Sequence, residues 1–234
     1  MNRITSVLDA NLSRDRARLT IAFAVVYVVF LLDWPLTFLY DAHPTIYWIW
    51  DLAKFVVTPS LALLWLRTTT GAVTQASLGL SLHDGVNARL RLLFLVLGCG
   101  VMLPLIWRVP KPFPWSFLWD AVNPAFDISA TIPNEGIAHY LGLLYLAATP
   151  AFVEELFFRG LLWRILGSSD RYSALRYILI SAFLFGSVHW EYGSTAVQNA
   201  MVYGIFAAWL YCRFGSLWPL IVGHFIADWM AFSR

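Results

Sequence analysis

Residues Pro150–Leu166 read PAFVEELFFRGLLWRIL. The segment is apolar enough for the core of a lipid bilayer, yet it holds Glu154, Glu155 and Arg159 near its middle, with Arg164 toward its end. A charge at a bilayer centre costs about 2.5–3.5 kcal/mol on insertion scales. The three groups near the middle therefore need partners, and helical spacing divides them. Glu155 and Arg159 are i,i+4, share a helix face and can neutralise each other. Glu154 precedes Glu155 by one position and points about 100° away around the helix. Arg159 lies outside the spacing of a helical partner for it. Glu154 requires water, a metal or a partner from another helix; the bland alternative is a carboxyl neutralised by burial and merely hydrogen-bonded.

The rest of the chain has the same apolar character. Of its 234 residues, 59% are hydrophobic and 13% charged, and the mean hydropathy is +0.65. A soluble domain is nearer half apolar and a quarter charged. The 12 Trp, 10 Tyr and 17 Phe suit helices whose rings lie at lipid–water boundaries. The net charge of +2 comes without the basic run that nucleic-acid binding needs. Cys99 and Cys212 stand in apolar stretches without metal-type spacing and read as buried thiols. The first apolar run begins near Leu19, after NLSRDRAR, and continues past Asp33 to Tyr40. It is too long for a signal-peptide core and reads as a retained first span.

Nearly charge-free stretches recur at 18–40, 46–66, 90–107, 137–163, 173–190, 194–212 and 215–232. Most approach the roughly 20 residues a spanning helix needs; the fifth and seventh are short, and each carries a histidine. None alternates as a barrel strand would. The expected fold is all-α: a polytopic transmembrane bundle of roughly seven or eight helices, one membrane domain over 1–234, with a polar cavity inside. The polar connection at 68–89 is expected to carry a short surface helix. The Pro- and aromatic-rich 108–136 is expected to form a long interfacial loop, because proline resists helix interiors. Basic residues gather in the N-terminal arm and in the loops around Arg67–Arg91 and Arg164–Arg176, which places the N-terminus in the cytoplasm.

Other ionisable groups fall within apolar stretches. Asp51 and Lys54, at i,i+3, read as an ion pair at a helix end. His189 lies in AFLFGSVHWEYGS, and His224 and Asp228, at i,i+4, share one face of the last helix. Each alone is weak. Together with Glu154 they offer carboxylates and imidazoles from three helices to one cavity. A glutamate there can act as general base on a water, an imidazole can hold that water or relay its proton, and donors opposite can stabilise an oxyanion. The same Glu154, His189 and His224 could instead bind Zn²⁺, although the HExxH helix of soluble zinc proteases is missing.

Three short motifs in order carry a resemblance: EExxxR (Glu154, Glu155, Arg159, then Gly160), FxxxH (Phe185 to His189) and HxxxD (His224 to Asp228). With SLWPLIVGH leading into the third, residues 137–232 resemble the CPBP intramembrane glutamic endopeptidases, the CAAX proteases and bacteriocin-processing enzymes related to type II CAAX prenyl endopeptidase. The resemblance implies peptide-bond hydrolysis within or beside the membrane, without a cofactor. Glu154 would activate the water and His189 would help hold it. His224 and residue 228 would form the oxyanion side, and Glu155 and Arg159 would support the helix. Many members have Asn where this chain has Asp228; an aspartate donates only when protonated and otherwise accepts from His224. The implied substrate is a membrane protein or a lipidated C-terminal tail, in a multi-pass protein of a bacterial or archaeal cell membrane. The competing expectations are a non-enzymatic membrane protein of the bacteriocin-immunity or scaffold type, and a transporter using the same groups as a relay. A transporter would be favoured by inverted repeats, and none is visible.

Overall fold

A computed structural model describes residues 2–33, 36, 44–70, 73–81, 86–108, 128–167 and 171–233. Among them the secondary structure is helical throughout, with no strand. Helix α1 spans Asn2–Leu31. Helix α2 (Pro44–Leu52) passes through a π-helical turn, Ala53–Val57, into α3 (Thr58–Thr69). Helix α4 covers Val86–Arg108. Helix α5 (Gly136–Glu154) passes through a longer π turn, Glu155–Leu161, into α6 (Leu162–Leu166). Then come α7 (Arg171–Ser187), a 3-10 turn (Trp190–Tyr192), α8 (Ser194–Phe214) and α9 (Trp218–Phe232).

These helices fall on the expected stretches but differ at their ends. α1 reaches back to Asn2, well before residue 18, since the arm's Arg, Leu and Ala residues are good helix formers. The surface helix expected within 68–89 is replaced, over 73–81, by a turn. There Thr74 N–H donates to Ser77 Oγ (2.8 Å) and Ser77 N–H donates to Thr74 Oγ1 (3.1 Å). Gly79 takes φ 75°, a conformation cheap only for glycine, and its carbonyl accepts Leu217 N–H at 2.9 Å. Leu78 is buried as a result. The expected interfacial loop, from 109 to 127, lies outside the described residues. So does the end of the first expected span beyond Asp33, Leu36 apart.

Polarity in the bundle runs opposite to that of a water-soluble one. Glu155 and Arg159 have no exposed surface, whereas Phe94 is 71% and Ile49 65% exposed. Leu61, Val101, Leu179 and Phe183 also point outward. Contiguous apolar surface of this kind is rare on soluble monomers and suits lipid. Thr45–Thr69 and Gly136–Leu166 are long and apolar enough to cross a membrane, and Leu92–Ile106 and Tyr172–Ser187 are shorter apolar helices. The distribution is that of a membrane protein.

Two close backbone approaches seat the later helices. A Cβ on Gly204 of α8 would lie 2.9 Å from Ala182 Cα of α7. One on Gly223 of α9 would lie 2.8 Å from the Cys99 carbonyl oxygen of α4. Small residues permit such contacts between membrane helices. Aromatic rings fill the centre: Phe158 meets Phe23, Phe30 and Phe185 edge-on.

Candidate active site

The site begins with the π turn. Pro150 deprives α5 of one N–H, and from Glu155 the helix widens. Leu162 N–H donates to Phe157 O, five residues back, as well as to Arg159 O. A widened turn weakens the regular ladder, and α7 supplies side-chain donors to it. Tyr177 OH donates to Arg159 O at 3.2 Å and Ser181 Oγ to Phe158 O at 2.9 Å. Both side chains are fully buried. Single π turns within α-helices are frequent at functional sites.

Glu155 is the hub of this turn. Its Oε2 pairs with Arg159 Nε at 3.2 Å, with both side chains fully buried. The contact is an ion pair without hydrogen-bond geometry, because Arg159 Nε and both terminal nitrogens find no acceptor. The guanidinium instead lies 4.1 Å from the ring centre of Phe185 and 5.6 Å from that of Tyr203, where ring quadrupoles attract a cation. Glu155 Oε1 accepts from Tyr203 OH at 3.2 Å and faces His224 Nδ1 at 2.9 Å. A carboxylate only accepts, so Nδ1 carries the proton in that bond.

With Nδ1 committed to Glu155, the other nitrogen of His224 faces the cavity. Its Nε2 lies 3.7 Å from Glu154 Oε2 and 3.5 Å from Asp228 Oδ2. The first distance exceeds hydrogen-bond reach, and Glu154 Oε2 has no hydrogen-bond partner although the residue is only 5% exposed. Both glutamates turn toward one imidazole, Glu155 to Nδ1 and Glu154 to Nε2. It is Glu155, rather than Asp228, that orients the ring through Nδ1.

His189 arrives by a break in its helix. α7 stops at Ser187, His189 N–H donates to Gly186 O at 3.1 Å, and the 3-10 turn follows. Gly193, at φ 87°, then lets the chain enter α8 directly. After this break His189 lines the same cavity as Glu154. His189 Nδ1 is 2.8 Å from Phe185 O; a carbonyl only accepts, so Nδ1 is the donor and the neutral ring presents Nε2 as acceptor. The Phe185 ring touches both imidazoles, with centroids 4.6 Å from His189 and 5.9 Å from His224. That contact is a physical reason for the phenylalanine four residues before the histidine.

Glu154, His189, His224 and Asp228 line one cavity of about 250 Å³. Asp51, Lys54 and Glu191 line it too, and here the sequence reading needs correction. Lys54 does not form an ion pair with Asp51 at a helix end. It is buried, 3% exposed, and bonds Asp33, just past the end of α1. The π turn that starts at Ala53 separates Asp51 from Lys54, so i,i+3 geometry does not hold between them. Asp51 instead accepts from Tyr47 OH at 3.4 Å. Sequence reading also passed over Asp33, Glu191, Tyr203, Tyr177 and Ser181. Of these only Asp33 carried a signal, as a lone charge in an apolar run. Among the described residues no three His, Cys, Asp or Glu side chains gather as a metal-binding group.

Comparison with known families adds to this geometry. Residues 136–230 match the family model described as type II CAAX prenyl endopeptidase Rce1-like. Over this segment the chain is similar to that family. The segment runs from the first residue of α5 into the last turns of α9 and contains all three motifs, so the resemblance noted from them holds. The family is by its description one of endopeptidases. No curated protein and no solved structure matches the chain.

Proposed function

We propose that the protein is a multi-pass intramembrane endopeptidase, N-terminus in the cytoplasm, that hydrolyses a peptide bond near the membrane end of a protein or lipidated tail. Glu154 takes a proton from a water, whose oxygen adds to the scissile carbonyl. The oxyanion is received by His224 Nε2–H, and Glu154 returns the proton to the leaving nitrogen as the C–N bond breaks. His189 Nε2 accepts from the same water and holds it. Asp228 flanks Nε2 and limits the ring's tilt.

The observation that supports this reading most is the bonding of His224. Its Nδ1–H is anchored on Glu155, itself neutralised by Arg159. The imidazolium form donates from both nitrogens, and its remaining N–H points to the cavity beside a glutamate oxygen that has no donor. One general base and one preoriented donor across a small gap are what amide hydrolysis requires. Outward apolar residues such as Ile49, Leu61, Phe94 and Phe183 would supply the lipid-facing wall, and the basic loops the inward orientation.

The test is reconstitution in lipid vesicles with tail peptides bearing an apolar segment. Cleavage by wild type, lost in both Glu154→Gln and His189→Ala, supports the mechanism; retained cleavage in either sinks it. A strong chelator in the same assay separates this metal-free chemistry from a zinc site on Glu154, His189 and His224. Inhibition reversed by Zn²⁺ would favour the metal.

A further inference from the structure

Part of the cavity wall carries more acid than the hydrolytic reading uses. Asp51, Lys54 and Glu191 line it, and Asp33 bonds Lys54. Asp33, Asp51 and Glu191 all lie near enough to act electrostatically on the Lys54 ammonium. That cation is already engaged by Asp33, and it rests 4.5 Å from the ring centre of Phe55 and 5.7 Å from that of Phe30. Asp51 accepts from Tyr47 OH through Oδ1 at 3.4 Å, but its Oδ2 has no hydrogen-bond partner. Glu191 shares that lack. It is 3% exposed, and its Oε2 has no hydrogen-bond partner. A buried acceptor without a donor is rare and calls for an explanation.

The position of Glu191 bears on what would fill that gap. It stands two residues after His189, on the 3-10 turn that brings His189 to the cavity. Its electrostatic neighbours include Glu154 as well as Lys54 and Asp33. Among the described lining residues the unsatisfied atoms are acceptors, Asp51 Oδ2, Glu154 Oε2 and Glu191 Oε2, and Lys54 is matched by Asp33. The complementary ligand is therefore a cation, not a carboxylate.

We propose that Glu191, backed by Asp51, forms a subsite of the cavity that takes the ammonium or guanidinium of a substrate lysine or arginine close to the bond Glu154 attacks. This rests on the protease reading for its substrate, though not for its chemistry. A substrate cation brought into this wall leaves water and meets a carboxylate already desolvated, so the pair gains from the low dielectric. A neutral side chain of equal length leaves Glu191 as it is. Lys54, tied to Asp33, keeps the wall from accumulating further negative charge.

The experiment uses the full-length protein in lipid nanodiscs and fluorescent tail peptides. A single lysine is scanned residue by residue past the apolar segment, each peptide against its norleucine counterpart. Binding is read in the Glu154→Gln background, where no peptide is consumed. At one position or more, the lysine peptide is expected to bind about tenfold tighter than its counterpart. That preference is expected to vanish in E154Q/E191Q, to weaken in E154Q/D51N, and to return with E154Q/E191D, which restores the charge and checks the fold. A preference that survives Glu191→Gln overturns the proposal, as does equal binding, or no binding, of both peptides at every position. So does binding that depends on the peptide's free C-terminal carboxylate and not on lysine, which would make Lys54 the recognition group. If wild type binds the lysine peptide in a Glu191-dependent way but cleaves none of the set, the protease reading falls and the subsite stands.

Discussion

Glu155→Gln removes one charge from a fully enclosed network, and its consequences can be followed atom by atom. Glu155 receives Tyr203 OH at 3.2 Å, His224 Nδ1 at 2.9 Å and the Arg159 guanidinium at 3.2 Å. No part of Glu155 or Arg159 meets solvent, so solvent does not screen the loss. Glutamine can still accept from His224 through its oxygen. Its amide, however, then presents donors to a guanidinium that has no other anion in contact. Breaking a buried ion pair from one side costs about 3–5 kcal/mol, a large share of the roughly 5–15 kcal/mol that holds a domain folded. The expected outcome is a marked fall in the unfolding midpoint in detergent micelles. The double variant Glu155→Gln/Arg159→Met removes both charges and is expected to recover most of that loss, giving a coupling of about 3 kcal/mol in the mutant cycle. Proteolytic activity is not expected to recover, because the ring of His224 still lacks its carboxylate anchor. A single variant destabilised by less than about 1 kcal/mol, the level of an exposed pair, would refute the claim that this pair supports the turn. A double variant with wild-type turnover would refute the claim that the charge of Glu155 is needed to hold His224 for catalysis.

Three further outcomes are expected. Glu154→Gln lowers turnover by about 10²–10⁴-fold while leaving the unfolding midpoint near that of wild type, since no hydrogen bond ends on its cavity-facing oxygen; the two are read on one preparation. Ser181→Ala strands the Phe158 carbonyl inside the π turn and costs about 1–3 kcal/mol, measured by chemical unfolding in micelles. Gly204→Val places a side chain against the backbone of Ala182, 2.9 Å from its Cα; overpacking costs about 1–3 kcal/mol, and cleavage falls with it because α7 ends at the turn that carries His189.

The parts of the site legible in the sequence were those fixed by spacing along one helix. Glu155 and Arg159 pair at i,i+4 as their separation requires. The histidines were legible only as members of ordered motifs. What spacing does not encode is pairing between helices. Lys54 looked like a partner for Asp51 by separation, but a π turn intervenes, and its counter-ion is Asp33 of another segment. Glu191 carries no helical-spacing signal in the sequence; it is buried on the 3-10 turn that follows the helix break after Ser187. The helix locations followed from hydropathy, since each must hide its backbone polar groups whatever its neighbours do. Neither π turn left a mark in the apolar pattern, because both lie in stretches where nearly every side chain is apolar.

The π turn at Glu155–Leu161 also has a meaning for chain length. A turn bonded five residues back instead of four absorbs one extra residue while the helix on either side stays in phase with its neighbours. Shortening the turn by one residue, at Leu156 or Phe157, would thus return the rod to a plain α-helix without rotating α5 against α6. The bundle would keep its outline and lose the seat of Glu155. Such a chain of 233 residues is expected to keep the bundle and to lose the proposed hydrolytic activity.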